Sequence, residues 1–166
     1  MSNLPTRQDA VNPREAGRSP AAEALSELVV HVFRLNGLLT AAGDEMAEPA
    51  GQTTARWRIL AAIEDAPLTV PQVARAWWLT RQSVQRVADM LVEDVLAVYD
   101  ENPGHRRSKL LRITPRGRSK LRTIRATQRV WAEELGAEIG EADLRTVNAV
   151  LVRVVEAMAR REPGSS

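Results

Sequence analysis

The 166-residue sequence contains no cysteine. That absence excludes a disulfide framework, thiolate zinc sites, a cysteine nucleophile and thiol redox sensing. Histidine is nearly as scarce: His31 and His105 are the only two, too few and too far apart for a metal cluster. No metal or cofactor is therefore expected. Aromatic residues make up 4%, with one Tyr, one Phe and four Trp. No apolar run approaches the ~18–20 residues needed to span a bilayer. The first twenty residues mix Arg7, Asp9, Arg14, Glu15 and Arg18 with three prolines. They lack the apolar segment of a signal peptide, so a cytoplasmic location and no membrane partner are expected. There is no Gly-rich phosphate loop and no Gly-x-Ser-x-Gly elbow. With no clustered nucleophile, base or metal set, the chain does not read as an enzyme.

What the sequence does have is a segregated charge. The net charge is +2. Between Asn102 and Ala132 lie Arg106, Arg107, Lys109, Arg112, Arg116, Arg118, Lys120, Arg122, Arg125 and Arg129, with no acid among them. That stretch is +10, which leaves −8 on the rest. Such a concentration repels itself unless acids from elsewhere in the fold, or a polyanion, relieve it. Most of these bases are Arg, whose planar fork matches phosphate. Nucleic acid is the partner this pattern favours; a solvated helix face balanced by acids is the alternative.

Residues 1–19 are polar, Pro-rich and aperiodic, and read as a flexible arm. Ser19-Pro20 has the form of an N-cap followed by Pro at the first helical position. Leu25, Leu28, Val29, Val32, Leu35 and Leu39 then recur on one helical stripe, and Gly43 fits the helix end. A second helix is expected over 53–64, with Trp57, Leu60 and Ile63 inward. Thr69 and Gln72 form a capping box opening a short third helix, whose Val70, Val73, Ala74 and Trp77 face one way. Thr80 caps a fourth helix over 81–93, with Val84, Val87, Ala88 and Leu91 inward. The period then changes to two. Leu96 and Val98, then Lys109, Leu111 and Ile113, read as two strands around the turn at 100–105. Thr114-Pro115 restarts a helix, Gly140 breaks it, and Leu144, Val147, Leu151 and Met158 continue the apolar seam in a final helix. Residues 162–166 read as a disordered tail.

This order gives a mainly α chain with a small β-hairpin, an α+β winged helix-turn-helix over 53–115. The outer face of the fourth helix carries Arg81, Gln82, Ser83, Gln85 and Arg86 after the Thr80 cap. Arg suits guanine edges, Gln suits adenine, and Ser permits close approach. The basic hairpin tip, with Arg106, Arg107 and Lys109, suits an adjacent minor groove. These residues are the candidate contacts to double-stranded DNA.

Over Leu68–Gly117 the stretch LTVPQVARAWWLTRQSVQRVADMLVEDVLAVYDENPGHRRSKLLRITPRG resembles the MarR family of transcription regulators. Its Asn-Pro…Arg-Arg wing tip and Ile-Thr-Pro-Arg-Gly exit carry most of the likeness. The resemblance implies a homodimer on a pseudo-palindromic operator, a repressor released by a small aromatic or lipophilic effector. It also implies a dimerisation domain built from both chain ends, 20–48 and 116–162. Three positions depart from the family pattern. His105 stands where an acid usually pairs with the Arg two residues on. Val95 stands where Gly commonly ends the recognition helix in a left-handed conformation. Because a β-branched residue is costly there, a different helix end is expected. Trp78 occupies a turn where Gly is common.

For an effector, the resemblance directs attention to His31, Arg34 and Trp57, an aromatic wall with cationic neighbours suited to an aromatic acid. Packing and solvent-facing charge are the alternative for these three. Two rivals to the regulator remain: a winged-helix protein-interaction module, which has no need of Arg and Gln on the fourth helix, and a non-specific architectural DNA binder.

Overall fold

Four threonines each open a helix by accepting a hydrogen bond from the backbone N–H three residues on. Thr53 accepts from Arg56, Thr69 from Gln72, Thr80 from Ser83 and Thr114 from Gly117. Each satisfies one of the orphan donors of a first helical turn. At Thr69 the box is reciprocal, with Gln72 Oε1 accepting from the Thr69 N–H at 2.8 Å.

The computed structural model describes residues 18–105 and 107–161. Of the arm expected over 1–19, residues 1–17 lie outside the described residues, as do the wing residue Arg106 and the tail 162–166. The order is α1 (Pro20–Ala47), a 3-10 turn (Glu48–Ala50), α2 (Thr54–Ala62), β1 (Leu68–Thr69), α3 (Val70–Ala76) and α4 (Arg81–Glu93). Then come β2 (Ala97–Asp100), β3 (Leu110–Ile113), α5 (Pro115–Ile139) and α6 (Glu141–Ala159). The strands form an antiparallel sheet in the order β1-β3-β2, with Tyr99 opposite Leu111 and Leu68 opposite Leu111 on the other edge. No helix among the described residues is long and apolar enough to cross a membrane.

The chain divides into two compact units, Met1–Ala41 and Ala42–Ser166. In the first, the N-terminal part of α1 starts at Ser19, whose Oγ accepts from the Ala22 N–H. Leu25, Val29, Val32, Phe33, Leu35, Leu38 and Leu39 are all exposed. In the second, the core runs through α2, α3, α4, the sheet and the start of α5. Ile59, Leu60, Ile63, Val73, Val84, Leu91, Leu96, Leu111 and Leu121 are sealed from solvent. Trp57 is half-buried where this core meets Ala47, Ala50 and Ile124. No residue of α6 is buried.

Four local expectations need correction. Gly43 does not end α1, which continues to Ala47. Its missing side chain admits Thr54 instead: a Cβ there would lie 2.4 Å from Thr54 Oγ1. Trp77 does not join Val70, Val73 and Ala74 in the core. It is 43% exposed and stacks under the Arg58 guanidinium, 5.9 Å from the ring centre, a cation–π contact. Strand β1 was not expected, because two residues are too few to show a period. Finally, α4 ends in the left-handed geometry after all. Val95 has φ 58°, its N–H bonds Val92 O, and the Leu96 N–H bonds Leu91 O at 2.8 Å. That is the paired bonding of a Schellman end, which normally selects Gly. Trp78 repeats it at the end of α3, with φ 52° and the Leu79 N–H on Ala74 O at 2.9 Å.

Candidate nucleic-acid interface

The Schellman ends set the site. The turn through Trp78 and Leu79 lets Thr80 cap α4, and α4 presents its apolar side to the core through Val84, Val87, Ala88 and Leu91. At 100° per residue the opposite side is then open. Arg81, Gln82, Ser83, Gln85 and Arg86 are all exposed there. Across from it, Thr114 anchors the far end of the wing. Its hydroxyl lies 2.9 Å from Val95 O and 3.1 Å from Leu96 O, and accepts from the Gly117 N–H at 3.0 Å. Gly117 is required at this spot, since a Cβ would stand 2.2 Å from Leu96 O.

Between α4 and the wing lies an open groove of about 640 Å³. Arg81, Gln82 and Gln85 line one wall; Tyr99, Arg107, Ser108 and Lys109 line the other, with Val70 and Pro71 at the base of α3. The structure thus brings together five of the sequence candidates. Ser83 and Arg86 are exposed on α4 but outside the groove. Thr80 serves as the cap, and the Ser83 hydroxyl donates to Thr80 O at 2.9 Å. Arg81 and Arg86 make no hydrogen bond or ion pair among the described residues, so both guanidinium groups are available.

Part of the basic segment is balanced internally. On the wing, Arg112 grips Asp100 with both arms of its fork, Nε to Oδ2 at 2.5 Å and Nη2 to Oδ1 at 3.2 Å. The Arg112 hydrogen bond and charge hold the Asp100 carboxyl below its ordinary range. Arg125 pairs with Glu64, and Arg118 donates to Glu64 O at 2.8 Å. Arg56 pairs with Asp94 at the end of α4, which lowers the Asp94 carboxyl through the hydrogen bond first and the charge second. Arg107 and Lys109 at the groove have no such partner among the described residues, and neither do Lys120, Arg122 and Arg129 on α5.

Sequence reasoning missed two members of this site. Tyr99, the single tyrosine of the chain, projects from β2 to meet Gln85 and Asp89 of α4. Gln85 Nε2 lies 2.8 Å from both Asp89 Oδ1 and Tyr99 Oη, and Tyr99 Oη is 2.9 Å from Asp89 Oδ1. Burial, then the Asp89 hydrogen bond and charge, push the Tyr99 hydroxyl up to about 12, so it is a protonated donor. The available signal was the alternation on β2, which puts Tyr99 on the face opposite Val98. For the effector candidates, His31 and Arg34 are exposed in the first unit. Trp57 belongs to the second, half-buried as described above.

A groove with Arg81, Gln82 and Gln85 on a helix and cations on a hairpin opposite it suits a duplex with a phosphate backbone. Comparison with known proteins agrees. The model of the MarR family matches residues 50–108, from the turn after α1 to the wing tip. An uncharacterized protein of Mycobacterium tuberculosis, Rv2011c, is 39% identical over 142 residues, 86% of this chain and 99% of that protein. Among solved structures, a MarR family transcription regulator, SP03579, superposes with TM-score 0.72 at 24% identity, over 86% of this chain and 97% of the other. The M. tuberculosis transcriptional regulator MOSR, solved in complex with DNA, superposes with TM-score 0.66 at 24% identity, over 78% of this chain and 96% of its own. At those identities the structures show the shared fold. With the family model and the relative, they establish that the chain belongs to the MarR family of winged-helix, DNA-binding transcription regulators.

Proposed function

We propose that the chain is a homodimeric repressor that reads a pseudo-palindromic operator with α4 and clamps it with the wing. The groove carries this reading: Arg81, Gln82 and Gln85 face Arg107 and Lys109 across it. In the proposed complex Arg81 and the Gln pair meet base edges in the major groove, Arg86 and Thr80 meet the flanking backbone, and Arg106, Arg107 and Lys109 follow the phosphates into the neighbouring minor groove. The first unit and α6 supply the apolar surface for dimerisation, over 20–48 and 116–162. The deciding experiment is selection from a random duplex library, repeated with Arg81→Ala. A selected inverted repeat whose sequence preference changes in the variant supports base reading. A uniform loss on all sequences makes Arg81 a phosphate anchor, and no enrichment at all leaves an architectural binder.

Release by a small aromatic or lipophilic ligand belongs to the same proposal and rests on the family. An effector able to empty the operator must favour the non-binding form by several kcal/mol. By linkage the operator must then weaken effector binding equally. A panel of aromatic acids and phenols in an operator-binding assay tests this, with His31→Ala, Arg34→Ala and Trp57→Ala testing each candidate contact. If no compound shifts operator affinity by ~10-fold, occupancy follows protein level alone.

A further inference from the structure

Gln85 is the side chain of α4 most committed within the protein itself. Its carboxamide nitrogen carries two hydrogens. Asp89 Oδ1 and Tyr99 Oη both lie 2.8 Å from that nitrogen, so the two hydrogens are shared between these acceptors in bent bonds. Tyr99 in turn spends its single hydrogen on Asp89 Oδ1 at 2.9 Å, leaving its oxygen to accept from Gln85. Every donor in this triangle has an acceptor. The orientation of the amide follows from chemistry: flipped, Gln85 Oε1 would sit against the Asp89 carboxylate, acceptor to acceptor. The pair Gln85 and Asp89 is one helical turn apart, the spacing at which such side chains meet. Tyr99 comes from β2, so the triangle also ties the recognition helix to the wing.

We infer that Asp89 and Tyr99 hold the Gln85 carboxamide so that only its carbonyl oxygen is offered to the major groove, which makes Gln85 a reader of an exocyclic base amine. Two bases present an amine there, adenine at N6 and cytosine at N4, whereas guanine and thymine present oxygens. A free glutamine would instead grip adenine with both ends, accepting from N6 and donating to N7. The triangle removes the donor. Gln85 therefore accepts adenine or cytosine at its base pair and rejects guanine and thymine, the oxygens of which would face its own. Tyr99 and Asp89 act as positioning residues: they set which bases Gln85 tolerates without touching the bases. This inference rests on the reading of α4 as the operator-reading helix, and it corrects the simpler expectation that Gln at this place specifies adenine.

The test is selection from a random duplex library with the full-length protein and with Gln85→Ala, Tyr99→Phe and Asp89→Ala. Gln85→Ala identifies the base pair by abolishing its preference. At that pair the wild-type protein is expected to take adenine and cytosine within about threefold of each other, and both about five- to tenfold over guanine and thymine. Tyr99→Phe and Asp89→Ala each free one amide hydrogen, so each should shift the pair towards adenine over cytosine by about fivefold or more. Asp89 is exposed, which keeps its variant folded if the tyrosine variant is not. A motif that Gln85→Ala leaves unchanged overturns the inference, as does a pair whose profile is the same in wild type and both positioning variants. Failure to select any motif overturns the operator-reading proposal itself and this inference with it.

Discussion

At the scale of single residues, the chain's lone tyrosine gives the groove its own spectroscopic reporter. Burial and the Asp89 carboxylate favour the neutral hydroxyl of Tyr99, raising it to about 12 from an ordinary value of 10.0. The folded chain holds this proton more tightly than the unfolded chain, so the linked stability is complete below about pH 10 and is lost as pH rises through about 12. Phenolate absorbance of the native protein should therefore titrate near pH 12, and Asp89→Ala should bring the midpoint part of the way back. A native midpoint at the ordinary value would show that the hydroxyl is free of Asp89. What the sequence displayed at this scale was residue type and spacing: the Arg, Gln and Ser of α4 stand where their period put them. It did not display partners supplied from other elements. Tyr99 reaches Asp89 only because β2 folds back beside α4, a pairing ten residues apart with no local period to mark it.

At the scale of elements, caps and periods were legible and the ends of helices were misread in opposite ways. Thr69, Thr80 and Thr114 cap as their sequence context requires, because an N-cap is settled within four residues. Gly43 resembled a helix end yet serves close packing against Thr54, a tertiary reason that no window of sequence contains. Val95 looked unable to take a left-handed end and takes it. The reason is that the Leu96 N–H bond to Leu91 O and the burial of both leucines outweigh the steric cost at one exposed side chain. That cost is of the order of 1–2 kcal/mol. Val95→Gly should consequently stabilise the lobe by about 0.5–1 kcal/mol, after the added chain entropy of glycine. Chemical denaturation measures it; a loss of stability would mean that the valine side chain is held by contacts worth more than the strain. Gly117 is the converse case. Its Cβ would stand 2.2 Å from a backbone oxygen at Leu96, and backbone cannot rotate out of the way. Gly117→Ala should cost about 2 kcal/mol or more and should loosen the wing before the rest of the lobe, seen as faster amide exchange in β2 and β3.

At the scale of the whole molecule, the question is what covers the apolar surface that the chain leaves open. Helix α6 exposes Val147, Val150, Val152, Val155 and Met158 and has no fully buried residue. The first unit exposes Leu25, Val29, Phe33, Leu35 and Leu38 in the same way. Contiguous apolar area of this kind is rare on a monomer and marks an interface. A two-fold partner offering the same helices would cover it with a self-complementary surface. Leu151 lies on α6 with its side chain half-covered, so Leu151→Asp would strand a carboxylate in the proposed interface. Sedimentation or light scattering should show a dimer for the wild-type chain at micromolar concentration and a shift towards monomer in the variant. The same change should remove most operator affinity while leaving α4 and the wing intact, because each half-site alone is weak. Two recognition helices one helical turn of DNA apart, roughly 34 Å, with about 6–10 phosphate contacts per dimer, give log K against log salt a slope of about −5 to −9. The variant should bind with about half that slope. A variant that is monomeric and keeps the full slope and affinity would show that one chain makes all the DNA contacts, and that the apolar faces of α6 and the first unit serve some other partner.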